Sequence, residues 1–256
     1  MAETIELLQF PLSHFNEKVR WALDYKRIPH TRINYLPGPH APQIKKLTGQ
    51  TSVPVLRMDG QLLTGSARIV DAIERKHPAP PLYPSGAAER DEALALQQRF
   101  DKELGPTARR MVFSALLAGE PDYIPRMFSP GKPQWKRLLY RATFPAVAPL
   151  LKKANGVTPE KVAAAEKIVD GLLDFIAQKT SVSGYLVGDA FTVADLTAAA
   201  LLAPIVDLTH PDMAKPEPLP NQARAIIDRL APHPAIAWVK QQYARHRPPS
   251  CGTVVV

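Results

Sequence analysis

A proline-rich segment, residues 77–86 (HPAPPLYPSG), divides the chain into two stretches with different hydrophobic patterns. Four of its ten residues are prolines, which lack an amide hydrogen and therefore interrupt helices and strands. Before this segment, short apolar runs alternate with segments of helical spacing. After it, the apolar residues recur at helical spacing throughout. We therefore predict a small α/β domain joined by a short linker to an all-α domain.

The predicted boundaries follow from this change of pattern. A chain of 256 residues is long enough for two domains. No periodic pattern continues to the C-terminus, so the sequence alone makes no structural prediction for the tail. The predicted units are residues 1–78 (α/β domain), 79–88 (linker), 89–247 (all-α domain) and 248–256 (tail).

The first domain is predicted to fold in the order β-α-β, α, β-β-α. An Asp59-Gly60 pair between two short apolar runs favours a type I′ turn, which would make the last two strands an antiparallel hairpin. The predicted elements are strand Ile5–Phe10, helix Asn16–Lys26, strand His30–Leu36, a short helix near Gln43–Leu47, strands Pro54–Met58 and Gln61–Thr64, and helix Ser66–Lys76.

The second domain is predicted to be entirely helical. Thr192 is a suitable N-cap, and Asp195, three residues later, can return a hydrogen bond to the Thr192 amide, which makes a capping box. The predicted helices are Ala87–Leu117 with a bend at Gly105-Pro106, Pro133–Lys153, Pro159–Lys179, Thr192–Val206, Gln222–Leu230 and Pro234–His246.

Composition restricts the classes of protein to which the chain can belong. No apolar run reaches the roughly 18 residues that a membrane-spanning helix needs, and the opening residues MAETIELLQF lack the basic region of a secretory signal. The single cysteine, Cys251, can form neither an internal disulfide nor a cysteine-based metal site. We therefore expect a cytoplasmic protein.

The formal net charge of +8 leaves several interpretations open. It favours simple solubility or a small anionic ligand, and it also fits contact with nucleic acid or a membrane surface. The densest basic cluster, Lys132 to Lys153, has no nucleic-acid-binding motif, so no nucleic-acid partner is expected. This amphipathic stretch fits either the core of the helical domain or an adaptor for anionic surfaces.

The first candidate site is Ser13, between the end of a predicted strand and the start of a predicted helix. The free amide groups and positive dipole end of a helix N-terminus lower the pKa of a nearby thiol. A hydroxyl at this position can donate a hydrogen bond to the resulting thiolate. Ser13 and Asn16 are also good helix caps, and the position taken alone favours capping over a thiol site.

Two further candidates are Val53-Pro54 and Gly65-Ser66. A proline at the first residue of a strand removes no ladder hydrogen bond. A cis peptide bond there would turn the backbone groups of Val53 toward an extended peptide ligand, whereas a trans proline would only mark an edge. Gly65 permits close backbone approach, and Ser66 offers a hydroxyl and amide groups to a carboxylate, or simply caps a helix.

The order and spacing of these three sites resemble those of the cytosolic glutathione transferases. SHFNEKVRWALDYKRIP resembles the first helix of that family, SVPVL with GSARIVDAIERKHP its second half-site, and YLVGDAFTVADLTAAALL the capped helix of its C-terminal domain. The resemblance extends from Ile5 to His246 and is weakest over residues 119–156, which look enlarged. It implies a thioredoxin-like N-terminal domain followed by an all-helical C-terminal domain.

The resemblance implies a serine-type glutathione transferase, similar to the tau and zeta classes. Ser13 would be the catalytic residue that stabilises the glutathione thiolate, which would attack a small hydrophobic electrophile, as in detoxification. The family usually forms homodimers, uses glutathione as co-substrate and needs no metal, and no stable membrane insertion is expected. The implied glutathione-binding residues are Ser13, Phe15, His40, Gln50, Ser52, Val53, Pro54, Gly65 and Ser66.

Several positions narrow this expectation or depart from it. Gly65 stands where the family has Glu or Gln, which removes an acceptor for the γ-glutamyl amine. His14 stands where proline is common and lies close enough to Ser13 to act as an acid or base. Without thiols at Ser13 and Asn16, glutaredoxin-like exchange at this site is excluded. A weakly catalytic or non-catalytic binding or scaffold protein is therefore the alternative function.

The electrophile pocket is expected in the helical domain. Aromatic and methionine side chains at helical spacing fit such a wall, although the same pattern is more often ordinary core. The candidate wall residues are Phe15, Met111, Phe113, Tyr123 and Phe128.

Overall fold

The computed structural model describes residues 5–255. Residues 1–4 and 256, which belong to the predicted first domain and tail, lie outside the described residues. The predicted fold class is confirmed: a thioredoxin-like domain with a mixed sheet is followed by an all-α domain.

The sheet of the first domain has the strand order β4-β3-β1-β2-β5. Strand β1 pairs in parallel with β2 and antiparallel with β3, and β3 pairs antiparallel with β4. The elements are β1 (Glu6–Gln9), α1 (His14–Tyr25), β2 (His30–Asn34), α2 (Ala41–Thr48), β3 (Val55–Met58), β4 (Gln61–Thr64), α3 (Ser66–Lys76) and, from the C-terminal tail, β5 (Gly252–Val255).

The predicted hairpin is confirmed. Met58 pairs with Gln61 across the turn, and Asp59 and Gly60 have φ values of 52° and 73°. Both values lie in the left-handed region that a type I′ turn requires, which explains the Asp-Gly sequence. This turn fixes the register of β3 and β4, and with it the start of α3.

The second domain is helical throughout, and none of the helices in the described part of the chain is long and apolar enough to cross a membrane. A π-helical turn (Phe100–Leu104) joins the first two helices, and a 3-10 turn (Ala203–Ile205) follows the sixth. The helices are α4 (Ala87–Arg99), α5 (Gly105–Ala118), α6 (Tyr123–Phe128), α7 (Gln134–Ala154), α8 (Pro159–Thr180), α9 (Val193–Leu202), α10 (Asn221–Leu230) and α11 (Pro234–His246).

The π-helical turn between α4 and α5 lies where these helices meet α1. Its Asp101 accepts hydrogen bonds from the buried Lys18 ammonium at 2.7 and 2.8 Å, which ties α1 to the second domain. The following residue, Gly105, lies against the Phe15 ring, and a Cβ atom on Gly105 would overlap that ring. The ion pair and the glycine together hold the start of α1 close to the helical domain.

Helix α1 packs between the sheet and α9, and its Val19, Trp21 and Leu23 side chains are fully buried. The predicted capping box of α9 is confirmed. Thr192 Oγ1 accepts from the Ala194 amide at 3.2 Å, and Asp195 Oδ2 accepts from the Thr192 amide at 2.9 Å. These bonds satisfy donors that would otherwise be buried without partners at the start of an almost wholly buried helix.

The C-terminal tail adds a fifth strand to the sheet. Strand β5 runs parallel to β2, with His30 opposite Gly252. A Cβ atom at Gly252 would lie 2.5 Å from His30 Nε2 and 2.7 Å from Arg32 Nε, so only glycine fits there. The tail, for which sequence pattern made no prediction, therefore covers the polar edge of β2.

A buried network of ion pairs lies between α1, β2 and the C-terminal part of the chain. Asp212 accepts from Arg32 at 2.7 Å and from Arg247 at 2.6 Å. The network joins residues more than 200 positions apart and so links the two domains. Its charged members are Glu17, Arg20, Asp24, Arg32, Asp212 and Arg247.

Cys251 belongs to the edge of this network. Its Sγ atom lies 3.1 Å from Asp24 Oδ1 and 3.1 Å from the Ile28 carbonyl oxygen. Burial and the Asp24 carboxylate raise the pKa of the Cys251 thiol to about 12. The donor atoms of Asp24, His30 and Cys251 lie within 4.8 Å of one another, but both His30 nitrogens already bond, to Ile28 and Arg32. The cluster is thus a hydrogen-bonded part of the network.

Candidate active site

A cavity of about 350 Å³ lies between the two domains, at one end of the sheet. The first domain contributes residues that follow β1, follow β2 or precede β3. The second contributes α5, α6, α7, α10 and the loop before α10. Its walls are mainly apolar, and its first-domain lining is Phe10, Leu12, Ser13, His14, Phe15, Pro37, His40, Thr51, Ser52 and Val53.

Strand pairing brings the three predicted sites to the same end of the sheet. Leu8 of β1 pairs with Val55 of β3, which in turn pairs with Thr64 of β4. The end of β1, the start of β3 and the end of β4 therefore coincide. Ser13, Val53-Pro54 and Gly65-Ser66 each lie just beyond one of these strand ends.

Ser13 is the N-cap residue of α1, with extended backbone angles. Its carbonyl oxygen accepts the first helical bond, from the Glu17 amide at 2.7 Å. Its hydroxyl, however, makes no capping hydrogen bond, and the residue lines the cavity. The side chain is thus placed at the positive end of α1 without being used to cap it.

His14 is buried, and its Nε2 donates to the Gly105 carbonyl oxygen at 2.9 Å. Burial, helped by the positive charge of Arg109, lowers the pKa of His14 to about 3. The ring is therefore neutral over the physiological range. Its hydrogen bond anchors the start of α1 to the start of α5, which is a positioning role.

The Val53-Pro54 peptide bond is cis. Of the two alternatives considered for this pair, the structure therefore has the cis form and not the trans proline of a strand edge. Val53 and Ser52 both line the cavity. Of the nine residues predicted to bind glutathione, the structure places five on the cavity wall and four outside it. The five are Ser13, Phe15, His40, Ser52 and Val53, and the four are Gln50, Pro54, Gly65 and Ser66.

His40 and Gln50 use their side chains to hold the loop before β3. His40 donates from Nε2 to the Thr51 carbonyl at 2.9 Å and accepts from the Gly38 amide at 3.2 Å. Burial lowers the pKa of His40, which favours the neutral ring that these two bonds require. Gln50 bonds both the amide and the carbonyl of Ser52. Both side chains therefore shape the loop that carries Ser52 and Val53.

Gly65 and Ser66 form the start of α3. Gly65 has a φ of 85°, in the region that favours glycine, and a Cβ atom there would meet no atom within 4 Å. Ser66 is the first residue of α3 and is largely buried. The amide end of α3 is thus aligned with the same end of the sheet as Ser13.

The predicted wall of the electrophile pocket is only partly correct. Phe15, Phe113, Tyr123 and Phe128 line the cavity, but Met111 is fully buried in the main core. Met111 lies on α5 like Phe113, and the two side chains point to different sides of that helix. Residues of α6 and α7, from the segment that looked enlarged, complete the outer wall.

The structure adds Arg109, which sequence analysis did not identify. Arg109 lines the cavity, lies 5.8 Å from the centre of the Phe15 ring and has a buried Nε atom without a hydrogen-bond partner. No acidic group lies within 4.0 Å of it among the described residues. The only available signal was the Arg109-Arg110 pair within an otherwise apolar helix. A partly buried guanidinium without an acid is suited to an anionic ligand.

The fold, the site and the sequence matches together define the class of protein. Residues 7–81 match the N-terminal domain of glutathione S-transferases, and residues 135–224 match the C-terminal domain. The chain belongs to the glutathione S-transferase family.

Individual relatives are distant. Maleylacetoacetate isomerase of Dictyostelium discoideum is 27% identical over 144 residues, and the match spans 54% of this chain and 63% of that protein. The β-etherase LigF from Sphingobium sp. strain SYK-6 is 19% identical, covers 93% of this chain and 99% of its own, and has a TM-score of 0.61. A glutathione S-transferase from Methylobacillus flagellatus KT with glutathione bound is 17% identical over 94% of this chain and 95% of its own, with a TM-score of 0.61. At these identities, the structural similarity shows the fold.

Proposed function

We propose that the protein is a glutathione transferase in which Ser13 stabilises the thiolate of glutathione. One observation carries the proposal. Ser13 occupies the N-cap of α1, yet its hydroxyl makes no capping bond and the residue lines an apolar cavity between the domains. An unused hydroxyl beside the amide end of a helix suits a sulfur anion. This arrangement favours thiolate stabilisation over capping.

Glutathione is proposed to bind along the end of the sheet where Ser13, Val53 and Ser66 lie. The backbone of Val53 would pair with the cysteinyl residue as an added strand does, and the amide end of α3 at Ser66 would receive the γ-glutamyl carboxylate. Family membership and the related structure with glutathione bound support this placement. A homodimer that works in the reducing cytoplasm is part of the same proposal, and the protonated, hydrogen-bonded Cys251 thiol fits it.

In the proposed reaction, the thiol proton of glutathione passes to water. The thiolate then forms a bond to an electrophilic carbon in the cavity, and the leaving group departs with the electron pair of its bond. In an addition, that pair moves to the neighbouring carbon, which takes up a proton. Holding both reactants in one cavity supplies much of the rate. The isomerase relative equally supports a reaction that returns glutathione unchanged, and product analysis separates a conjugate from an isomer.

The cavity also favours a class of electrophile. Its walls are apolar, which fits a substrate with an apolar body. The guanidinium of Arg109, which has no acidic partner among residues 5–255, fits a substrate that also carries a carboxylate.

Replacement of Ser13 by alanine tests the proposal. The variant should lose about 10- to 100-fold in kcat, since one hydrogen bond to a charged group is removed, and should bind glutathione almost as well as the wild type. Conjugation kinetics and calorimetric titration of glutathione measure the two effects. A Ser13→Thr variant, which keeps the hydroxyl, is the control. Unchanged turnover in Ser13→Ala would remove Ser13 from the mechanism.

Gly65 favours a second candidate, a glutathione-binding protein with little catalysis. With no side chain at this position, the γ-glutamyl amine loses the acceptor that the family usually provides. If the wild-type protein binds glutathione but yields no product with either carboxylate-bearing or neutral electrophiles, this candidate is supported against the first.

A further inference from the structure

The outward side of helix α7 is apolar and exposed. Trp135, Leu138, Leu139 and Leu150 are 63, 57, 56 and 66% exposed. At about 100° per residue, these four positions fall within about 120° of the helix circumference. They therefore form a continuous stripe, which we call the α7 outer face. Soluble monomers rarely expose such a contiguous apolar surface without a binding role.

The opposite side of α7 fixes the orientation of this face. Tyr140 and Phe144 are buried, and the Tyr140 hydroxyl donates to the Pro37 carbonyl oxygen at 2.8 Å. Val147 packs against Gly38, and Leu151 lines the cavity. Because the inner side is fully used in packing, the outer face is held toward solvent.

The charge of the protein is concentrated around the same helix. Residues 123–159 contain seven lysines and arginines and no acidic residue, which accounts for all but one of the chain's eight net positive charges. Arg141 pairs with Asp122 and Arg126 lies near Glu120. The remaining five have no acidic partner within 4.0 Å among the residues that the structure describes, and they are Lys132, Lys136, Arg137, Lys152 and Lys153.

We propose that the α7 outer face binds the surface of an anionic lipid bilayer. An exposed apolar stripe that includes a tryptophan and is flanked by lysines and arginines has the pattern of a helix that lies in the membrane interface. The cations would contact anionic headgroups while the stripe enters the boundary of the acyl chains. The helix would lie on the membrane and not cross it.

Charge complementarity favours this occupant over two others. A second copy docked on the same face would bring two sets of unpaired cations together, which opposes association. A nucleic acid would satisfy the cations but offers little apolar surface for Leu138, Leu139 and Leu150. A lipid surface satisfies both features at once.

The proposal is independent of the proposed catalytic function, because membrane binding is measured without turnover. It does have a geometric consequence for the cavity. Leu151, Ala154 and Asn155, at the end of the same helix, line the cavity wall. A bilayer-bound protein would therefore hold this wall close to the lipid.

Sedimentation with vesicles tests the proposal on the full chain. We expect binding to vesicles of phosphatidylcholine mixed with phosphatidylglycerol, at least about tenfold weaker binding to phosphatidylcholine alone, and release by raised salt. A double variant, Trp135→Glu with Leu139→Glu, should lose at least about tenfold in binding to the mixed vesicles. Val182→Glu, at an apolar residue that is 96% exposed far from α7 in sequence, is the matched control and should bind like the wild type.

A charge-reversal variant, Lys136→Glu with Lys152→Glu, leaves the apolar stripe intact. It provides an independent test if the first variant does not fold. It should also lose about tenfold in binding to the mixed vesicles. Circular dichroism should show all variants folded, since every changed residue is exposed.

The proposal is overturned if both α7 variants bind vesicles like the wild type. It is also overturned if wild-type protein binds duplex DNA but not the mixed vesicles, or if the glutamate variants change only the oligomeric mass in solution.

Discussion

At the start of α1, the neighbouring residues Ser13 and His14 have different environments. Ser13 lines the cavity with a hydroxyl that makes no capping bond, whereas His14 is buried and donates to Gly105. The pKa of His14, lowered to about 3 by burial, leaves it no part in proton transfer near neutral pH. In the proposed mechanism, the chemistry of the site therefore rests on Ser13, on the amide end of α1 and on the cation Arg109.

Arg109 should determine which electrophiles the cavity accepts. In an Arg109→Gln variant, KM for a carboxylate-bearing electrophile should rise about 10- to 100-fold, because a charged hydrogen bond is lost, while KM for a neutral analogue should hardly change. Steady-state kinetics with matched acid and ester substrates measures this. Arg109→Lys is the control and should retain part of the preference.

The thermal midpoint of the Arg109→Gln variant distinguishes a binding role of Arg109 from a structural one. Within the described part of the chain Arg109 has no acidic partner, and burial together with Arg110 lowers its pKa. Replacing it removes a desolvated charge, so the thermal midpoint should stay the same or rise. A lower midpoint with equal KM changes for acid and ester would show that Arg109 is only structural.

At the scale of elements, the π-helical turn and Gly105 determine how closely α1 approaches the helical domain. Asp101 in the turn holds Lys18, and Gly105 leaves room for the Phe15 ring. Phe15 follows Ser13 by two residues and lines the same cavity. A substitution at the Gly105–Phe15 contact should therefore also alter the cavity around Ser13.

A Gly105→Ala substitution should be destabilising although alanine is the better helix former. Its Cβ atom would overlap Cζ of Phe15 and lie 3.0 Å from Cε2, and such overpacking typically costs about 1–3 kcal/mol. Gly171→Ala is the matched control, since Gly171 is exposed on α8 with no atom near its Cβ position. That change should stabilise by about 0.5–1 kcal/mol. Denaturant unfolding compares the two, and stabilisation of both variants would contradict the close contact.

At the scale of the whole molecule, the buried ion-pair network connects the two ends of the chain. It joins α1 and β2 of the first domain to Asp212 in the loop before α10 and to Arg247 after α11. The tail then returns to the sheet as β5. The two domains are therefore held together by charge pairs as well as by the apolar contacts of α1 with α9.

This network predicts a pH dependence of stability. Burial alone would raise the pKa of Asp212, but Arg20, Arg32 and Arg247 outweigh burial and lower it to about 2. Because the folded-state pKa lies below the unfolded value of about 3.9, the stabilisation is complete above about pH 5 and is lost as the pH falls through 2. It amounts to roughly 2–3 kcal/mol.

An Asp212→Asn variant tests this account. Its free energy of unfolding at neutral pH should fall by about 3 kcal/mol, because buried arginines lose a carboxylate, and its stability should vary less than that of the wild type between pH 4 and pH 2. Urea unfolding across this range measures both effects. Asp91→Asn, at an exposed aspartate of α4, should change stability by less than about 0.5 kcal/mol. Equal pH profiles for wild type and Asp212→Asn would exclude Asp212 as the source.

The features that could be predicted from the sequence are those that depend on local interactions. The Asp59-Gly60 turn, the Thr192–Asp195 capping box and the division into an α/β and an all-α domain are all present, because turn geometry, capping and hydrophobic period act over a few residues. The placement of Ser13, Val53 and Ser66 at one end of the sheet depends in addition on the strand order, which the structure supplies.

The remaining features could not be predicted from local sequence, because they arise from packing. The pairing of the tail with β2, the inward direction of Met111, the cavity position of Arg109 and the exposed stripe on α7 all depend on contacts between distant segments. A helix with apolar residues on two sides does not reveal from its sequence which side will be covered. That choice is made by packing, which buries Tyr140 and Phe144 and leaves Trp135 to the solvent.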